Sequence, residues 1–238
     1  MSEPRPTVAG RVLAIETSQT AGSVALLEKG QLVAERLLPA SERSAKTLAP
    51  AIDTILRETN WEPSSLGLIV VVRGPGSFTG LRIGVTTAKM LALALDCRLI
   101  SVLTNDVLAE QVRQGIDAVE LQDITIKTAI EAHRQQFFTA EHRLDDQGTM
   151  KCTRETQLED VEVWQGALDA HSIVTGPVLI RLASKLPVAA RIAPPEEWEP
   201  RAGIAGLLGW KDFCAGQRED PAQLVPFYIR PSYAEEKK

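Results

Sequence analysis

The run GPGSFTGLRIG, residues 74–84, places the tightest limits on what this chain can fold into. Its four glycines, Gly74, Gly76, Gly80 and Gly84, follow the apolar stretch LIVVV of residues 68–72 and precede the helix formers VTTAKMLA of residues 85–92. A buried strand therefore runs into a tight loop and then into a helix. Pro75 stiffens the loop, and Ser77 or Thr79 can cap the helix. A glycine loop at a helix start offers backbone N–H groups at the positive end of the dipole, so Gly74, Gly76, Ser77, Thr79 and Gly80 form a candidate anion or nucleotide loop. The same glycines also serve a chain that only has to turn sharply. The spacing is neither GxxxxGK[ST] nor GxGxxG, so neither nucleotide fingerprint applies.

Gly80, Gly84 and Ala88 recur every four residues on one face of that helix. Small residues in such a row let another element approach closely. The approaching element can be internal or can belong to another subunit.

Upstream, residues 11–16, 22–27 and 32–38 read as three strands joined by a turn at 28–31. A helix with Leu48, Ile52, Ile55 and Leu56 on one face follows, with Pro50 in its first turn or kinking it. After the glycine loop and its helix, residues 98–102 read as another strand. Three strands before the first helix suit the half-domain of the actin-like, sugar-kinase and Hsp70 ATPases. The second half repeats that plan more loosely. Strands are expected at 123–132, 136–142, 150–154 and 172–175, a turn at 145–148, and helices at 158–168 and 201–216. Two lobes result, 1–104 and 105–238, each a mixed sheet with helices.

The first strand ends in Glu16-Thr17-Ser18. A carboxylate and hydroxyls at a strand end can hold a metal through water or meet phosphate oxygens, or can simply form a turn into the next strand. The histidines, His133, His142 and His171, form no HxxxH or HExxH pair, and Cys97, Cys152 and Cys214 form no CxxC, so no metal site is expected. No GxSxG elbow or Cys–His motif marks a nucleophile. Glu131, His133 and Arg134 either line a cleft or form an edge-strand charge cluster. The four tryptophans show no spacing suited to base stacking and read as core residues. With 31 acidic against 26 basic residues and a net charge of −5, the chain is expected to bind nucleic acid poorly by itself. The cysteine usage, the missing signal-peptide core and the lack of a long apolar run point to the cytoplasm and away from a membrane.

Two segments, VLAIETSQTAGSVALL (residues 12–27) and RGPGSFTGLRIGVTTAKMLA (residues 73–92), resemble the TsaB (YeaZ) family, the non-catalytic subunits of the bacterial tRNA threonylcarbamoyladenosine complex. Similarity is weaker at AIEAHRQQFFTAEH (129–142) and VPFYIRPSYAEEKK (225–238). The resemblance implies an actin-like (ASKHA) two-lobe fold with a degenerate active site. It also implies a TsaD-like catalytic partner, a TsaE-like ATPase and only indirect contact with tRNA. No cofactor is firmly assigned, and ATP or ADP at the complex interface stays open. Pairing in the family runs through first-lobe helices, so Leu48, Ile52, Gly80, Arg82, Gly84, Ala88 and Leu91 are the candidate interface, for TsaD or for a homodimer. Glu16 and Glu131-Ala132-His133 depart from the residues usual in the family. An independent actin-like ATPase or small-molecule kinase is the competing reading, and a metalloprotease a third that the missing HxxxH opposes.

Overall fold

Alternating or continuous apolar residues make strands where both faces are covered, and each half of the chain begins with such a set. The computed structural model describes residues 10–41, 44–117, 121–132, 134–187 and 190–229. The chain divides into two compact units. The first comprises Met1–Arg73, Ser77–Val102 and Arg201–Pro226, and the second Gly74–Gly76, Leu103–Pro200 and Phe227–Lys238.

The first unit holds β1 (Arg11–Glu16), β2 (Ser23–Glu28), β3 (Gln31–Leu37), β4 (Leu68–Gly74) and β5 (Arg98–Leu103) in the order β3-β2-β1-β4-β5. The β1–β2 and β2–β3 pairs are antiparallel, and β4 runs parallel to β1. Helices α1 (Ser44–Glu58) and α2 (Phe78–Leu95) pack into one core with Leu13, Ile15, Val24, Leu26, Ile69 and Val71. Pro50 stands inside α1, one turn further along than a first-turn position, on its exposed side.

The second unit follows the same plan. After α3 (Thr104–Gly115) come β6 (Thr125–Glu131), β7 (Gln136–Leu144) and β8 (Met150–Asp160), then α4 (Val161–Gly166), β9 (Ser172–Thr175), α5 (Leu179–Leu182) and β10 (Arg191–Ile192). The order β8-β7-β6-β9-β10 matches the first sheet strand for strand, with antiparallel β6–β7 and β7–β8 and parallel β6–β9. Three antiparallel strands followed by a parallel one is the arrangement expected of an actin-like half-domain. The strand expected at 150–154 runs on to Asp160, which shortens the helix expected at 158–168 to six residues.

One connection departs from a division at residue 104. The last helix, α6 (Ala202–Cys214), packs on β1, β2 and β3 of the first unit. Two long-range caps fix its start. The Ser23 hydroxyl accepts from the Ala202 N–H at 2.9 Å, and the Glu35 carboxylate accepts from the Gly203 N–H at 2.8 Å. A carboxylate there also meets the positive end of the helix dipole. Along the helix, a Cβ on Gly206 would lie 2.3 Å from Leu27, and one on Gly209 2.5 Å from Val70, so α6 lies against the sheet with no room for side chains at the contact.

Removing these caps should loosen α6. Glu35→Ala is expected to cost about 1 kcal/mol, the usual value for a lost helix cap, and to lower the melting temperature by about 2–4 °C. A thermal melt followed by circular dichroism reads this directly; a variant melting like the parent would mean that Glu35 does not cap α6.

Candidate functional site

The polar end of β1 and the start of α2 form the most heavily connected locus of the first unit. Glu16, Thr17 and Ser18 are fully buried. Glu16 Oε1 accepts from the Ser18 N–H at 2.5 Å, which folds the strand end into a turn. The Thr17 hydroxyl donates to the Gly80 carbonyl at 2.8 Å. The Ser77 N–H donates to the Ser18 carbonyl at 2.7 Å, and the Ser77 hydroxyl caps α2 by accepting from the Gly80 N–H at 3.2 Å. Of the backbone donors that an anion would use at this loop, those of Ser77 and Gly80 are thus already engaged. Thr79 is exposed and takes no part in the cap, which falls to Ser77. Gly74 and Gly76 have φ of +124° and +155°, conformations that glycine adopts without strain.

Gly80 and Gly84 have a different use from the one expected. A Cβ on Gly80 would sit 2.0 Å from the Thr17 carbonyl oxygen, and one on Gly84 2.2 Å from the Thr17 hydroxyl. Ala88 is fully buried. The small-residue row therefore seats α2 on the end of β1, inside the unit. Leu48 and Ile52 are core residues, and Leu91 packs against the same core. These positions cannot form the exposed interface assigned to them; of the seven, Arg82 is the exposed one, its guanidinium 3.9 Å from the Phe78 ring centre. The reason is the 100° step of the helix: positions 80, 84 and 88 face inward, so 78, 82, 86 and 90 face outward. That outer face carries Phe78 at 37%, Met90 at 61% and Leu93 at 62% exposure. Contrary to the expectation of no long apolar run, α2 has 18 residues with mean hydropathy 1.3, enough by length and composition to cross a membrane. Its inner face is consumed by the core, and its outer face supplies the excess.

In the second unit the structure brings together groups with no sequence motif. The β7–β8 register sets His142 opposite Cys152, and Asp106 Oδ1 of α3 lies 2.8 Å from His142 Nε2. The order Cys-His-Asp is that of a nucleophile, a base and its orienter. Two facts oppose this use. His142 Nδ1 has no hydrogen-bond partner among the described residues, and the Cys152 thiol donates to its own strand, to the Arg154 carbonyl at 3.3 Å. Burial and the Asp106 charge push the Cys152 thiol up, which holds it protonated and unreactive. Burial likewise raises Cys97 to about 11. Among the described residues no three His, Cys, Asp or Glu side chains converge as a metal ion would require. Glu131 pairs with Arg181, as an edge-strand charge does; His133 lies outside the described residues.

Glu197 is a buried carboxylate that the sequence did not single out. It is 8% exposed, it lies where a Gly115 side chain would be, at the end of α3, and its Oε2 finds no partner among the described residues. Burial, then the neighbouring Glu196 charge, raise its pKa.

The family model described as TsaD, tRNA N6-adenosine threonylcarbamoyltransferase, matches residues 38–166. The tRNA threonylcarbamoyladenosine biosynthesis protein TsaB of Bacillus subtilis is 35% identical over 128 residues, 54% of this chain and 53% of that protein. TsaB of Escherichia coli is 33% identical over 138 residues, 58% of this chain and 57% of that protein. The chain thus spans about half the length of the curated relatives it matches. A solved structure of YeaZ from Pseudomonas aeruginosa is 25% identical, with a TM-score of 0.74 over 92% of this chain and 100% of that one.

Two outcomes follow from this geometry. Gly84→Ala should destabilise the first unit by about 1–3 kcal/mol through overpacking, and Thr17→Ala in the same chain should recover part of the loss. Strictly additive losses in urea unfolding would show that the two residues do not share this contact. A raised carboxylate pKa means that the folded state holds its proton more tightly, so stability falls as pH rises from the ordinary carboxylate range through the folded pKa. Glu197→Gln is therefore expected to be more stable than the parent at pH 7, with the gain fading toward pH 4. A gain that stays constant over that range would contradict the burial account.

Proposed function

The chain belongs to the TsaB (YeaZ) family, and from that premise we propose that it serves tRNA threonylcarbamoyladenosine biosynthesis as a non-catalytic scaffold. In this reading it associates with a TsaD-like catalytic subunit, works with a TsaE-like ATPase in the cytoplasm, and meets tRNA only through that assembly. The observation that carries the reading is the outer face of α2. Phe78, Met90 and Leu93 line an exposed apolar stripe on a helix whose other face is buried. Such a stripe is the kind of surface that a partner helix covers. The stripe replaces the small-residue row as the proposed contact.

The reading also draws support from the strand end of β1. Glu16 Oε1, the Thr17 hydroxyl and the Ser18 carbonyl are engaged in fastening the turn and α2, which suits a support role better than phosphate or metal chemistry. An independent ATPase or kinase would need those groups for its nucleotide. The net charge of −5 favours a partner as the main holder of tRNA.

Reconstitution tests the proposal. The purified chain with ATP, tRNA and a source of threonylcarbamoyl adenylate is expected to give no modified nucleoside by mass spectrometry. Adding TsaD-like and TsaE-like subunits should restore product. Met90→Asp, which puts a charge in the stripe, should weaken association with the TsaD-like subunit by about tenfold or more. Modified nucleoside or magnesium-dependent ATP turnover from the isolated chain would overturn the scaffold reading.

A further inference from the structure

The segment after α6 does more than end the chain. Its Glu219 N–H donates to the Leu99 carbonyl at 3.3 Å, and its carboxylate accepts from the Ser101 N–H at 3.0 Å and the Ser101 hydroxyl at 2.7 Å. The segment therefore lies along β5, the last strand of the first sheet, and occupies backbone groups that an edge strand would leave open. Three residues later it reaches α2. Lys89 Nζ donates to the Ala222 carbonyl at 3.4 Å and the Leu224 carbonyl at 2.9 Å, and Leu224 is buried in the core that α2 shares. Val225 follows, 63% exposed. Lys89 adjoins Met90 and lies one turn before Leu93, so the segment is clamped to α2 within a turn of the apolar stripe.

We propose that residues 219–225 form a strap that carries Val225 to the edge of the α2 stripe, and that stripe and strap together form the docking face for the TsaD-like subunit. The proposal rests on the scaffold reading above and extends its surface beyond one helix. Two observations point to this role. The hydrogen bonds of the strap all go to β5 and α2 and hold its backbone, while Val225 spends none of its apolar surface on the core. Lys89 is a positioning residue in this account. Its charge neutralises nothing; its ammonium fixes two carbonyls and thereby the place of Val225.

The test measures the dissociation constant for the TsaD-like subunit by titration calorimetry. Val225→Asp alters an exposed side chain, so its melting temperature should match that of the parent while affinity falls about tenfold. Lys89→Met keeps the stem but removes the donors and should weaken binding, whereas Lys89→Arg, which can still reach carbonyls, should restore it. If Met90→Asp weakens binding and Val225→Asp does not, the strap is no part of the face, although the α2 stripe still is. If neither weakens it, the stripe reading falls and the strap falls with it. If Lys89→Met and Lys89→Arg bind alike, Lys89 does not position the strap.

Discussion

Thr17 sits where a side chain on either of two helical residues would sit, and the first unit is arranged around that fact. Its carbonyl and hydroxyl lie 2.0 and 2.2 Å from the positions that side chains on Gly80 and Gly84 would take. The hydroxyl donates to Gly80, and the turn beyond it receives the Ser77 N–H. The approach of α2 to β1 is thus set by absent atoms and by short polar contacts formed in their place. Buried backbone and hydroxyl groups need partners, and here strand end and helix start supply each other. The inward face of α2 is fixed by this contact, and the outward face follows from it by helical geometry alone.

Much of this was legible because local composition and periodicity agree. The apolar stretch at 68–72, the glycines after it and the helix formers beyond mark β4 and α2 closely. The strand order of the first sheet follows from three early strands. The polar strand end at Glu16–Ser18 was visible too, although its use as a fastening was only one of two readings. The facing of the small-residue row was not legible, since four-residue spacing identifies a shared face without saying what covers it.

Other elements left weaker traces. Helix α3 buries Thr104, Asn105, Glu110 and Gln111 beside its apolar residues, so no clean apolar stripe announces it. Asn105 bonds Thr128 at 2.7 Å and Thr156 at 3.3 Å, partners that no local rule supplies. The same holds for α6, whose capping groups lie 179 and 168 residues away in the chain. The Cys152–His142–Asp106 grouping depends on strand register, which short-range spacing does not encode. Polar burial and long-range capping are tertiary facts that periodicity does not carry.

The two sheets share one strand order, yet the helix after each set of strands serves the other. Helix α3 follows β5 and packs on β6 to β9, and α6 follows β10 and packs on β1 to β3. This arrangement has a consequence for synthesis on the ribosome. When β5 has emerged, all five strands of the first sheet are present, but the helix that covers β1 and β2 is about a hundred codons away. The nascent chain must hold Leu27, Val70 and Ala14, the residues that Gly206 and Gly209 later cover, in a form that does not aggregate. The second unit has its helix α3 in hand before its first strand is made. Translation therefore completes the second unit before the first, although the first begins earlier, and a stalled or truncated message would release a sheet with one face uncovered.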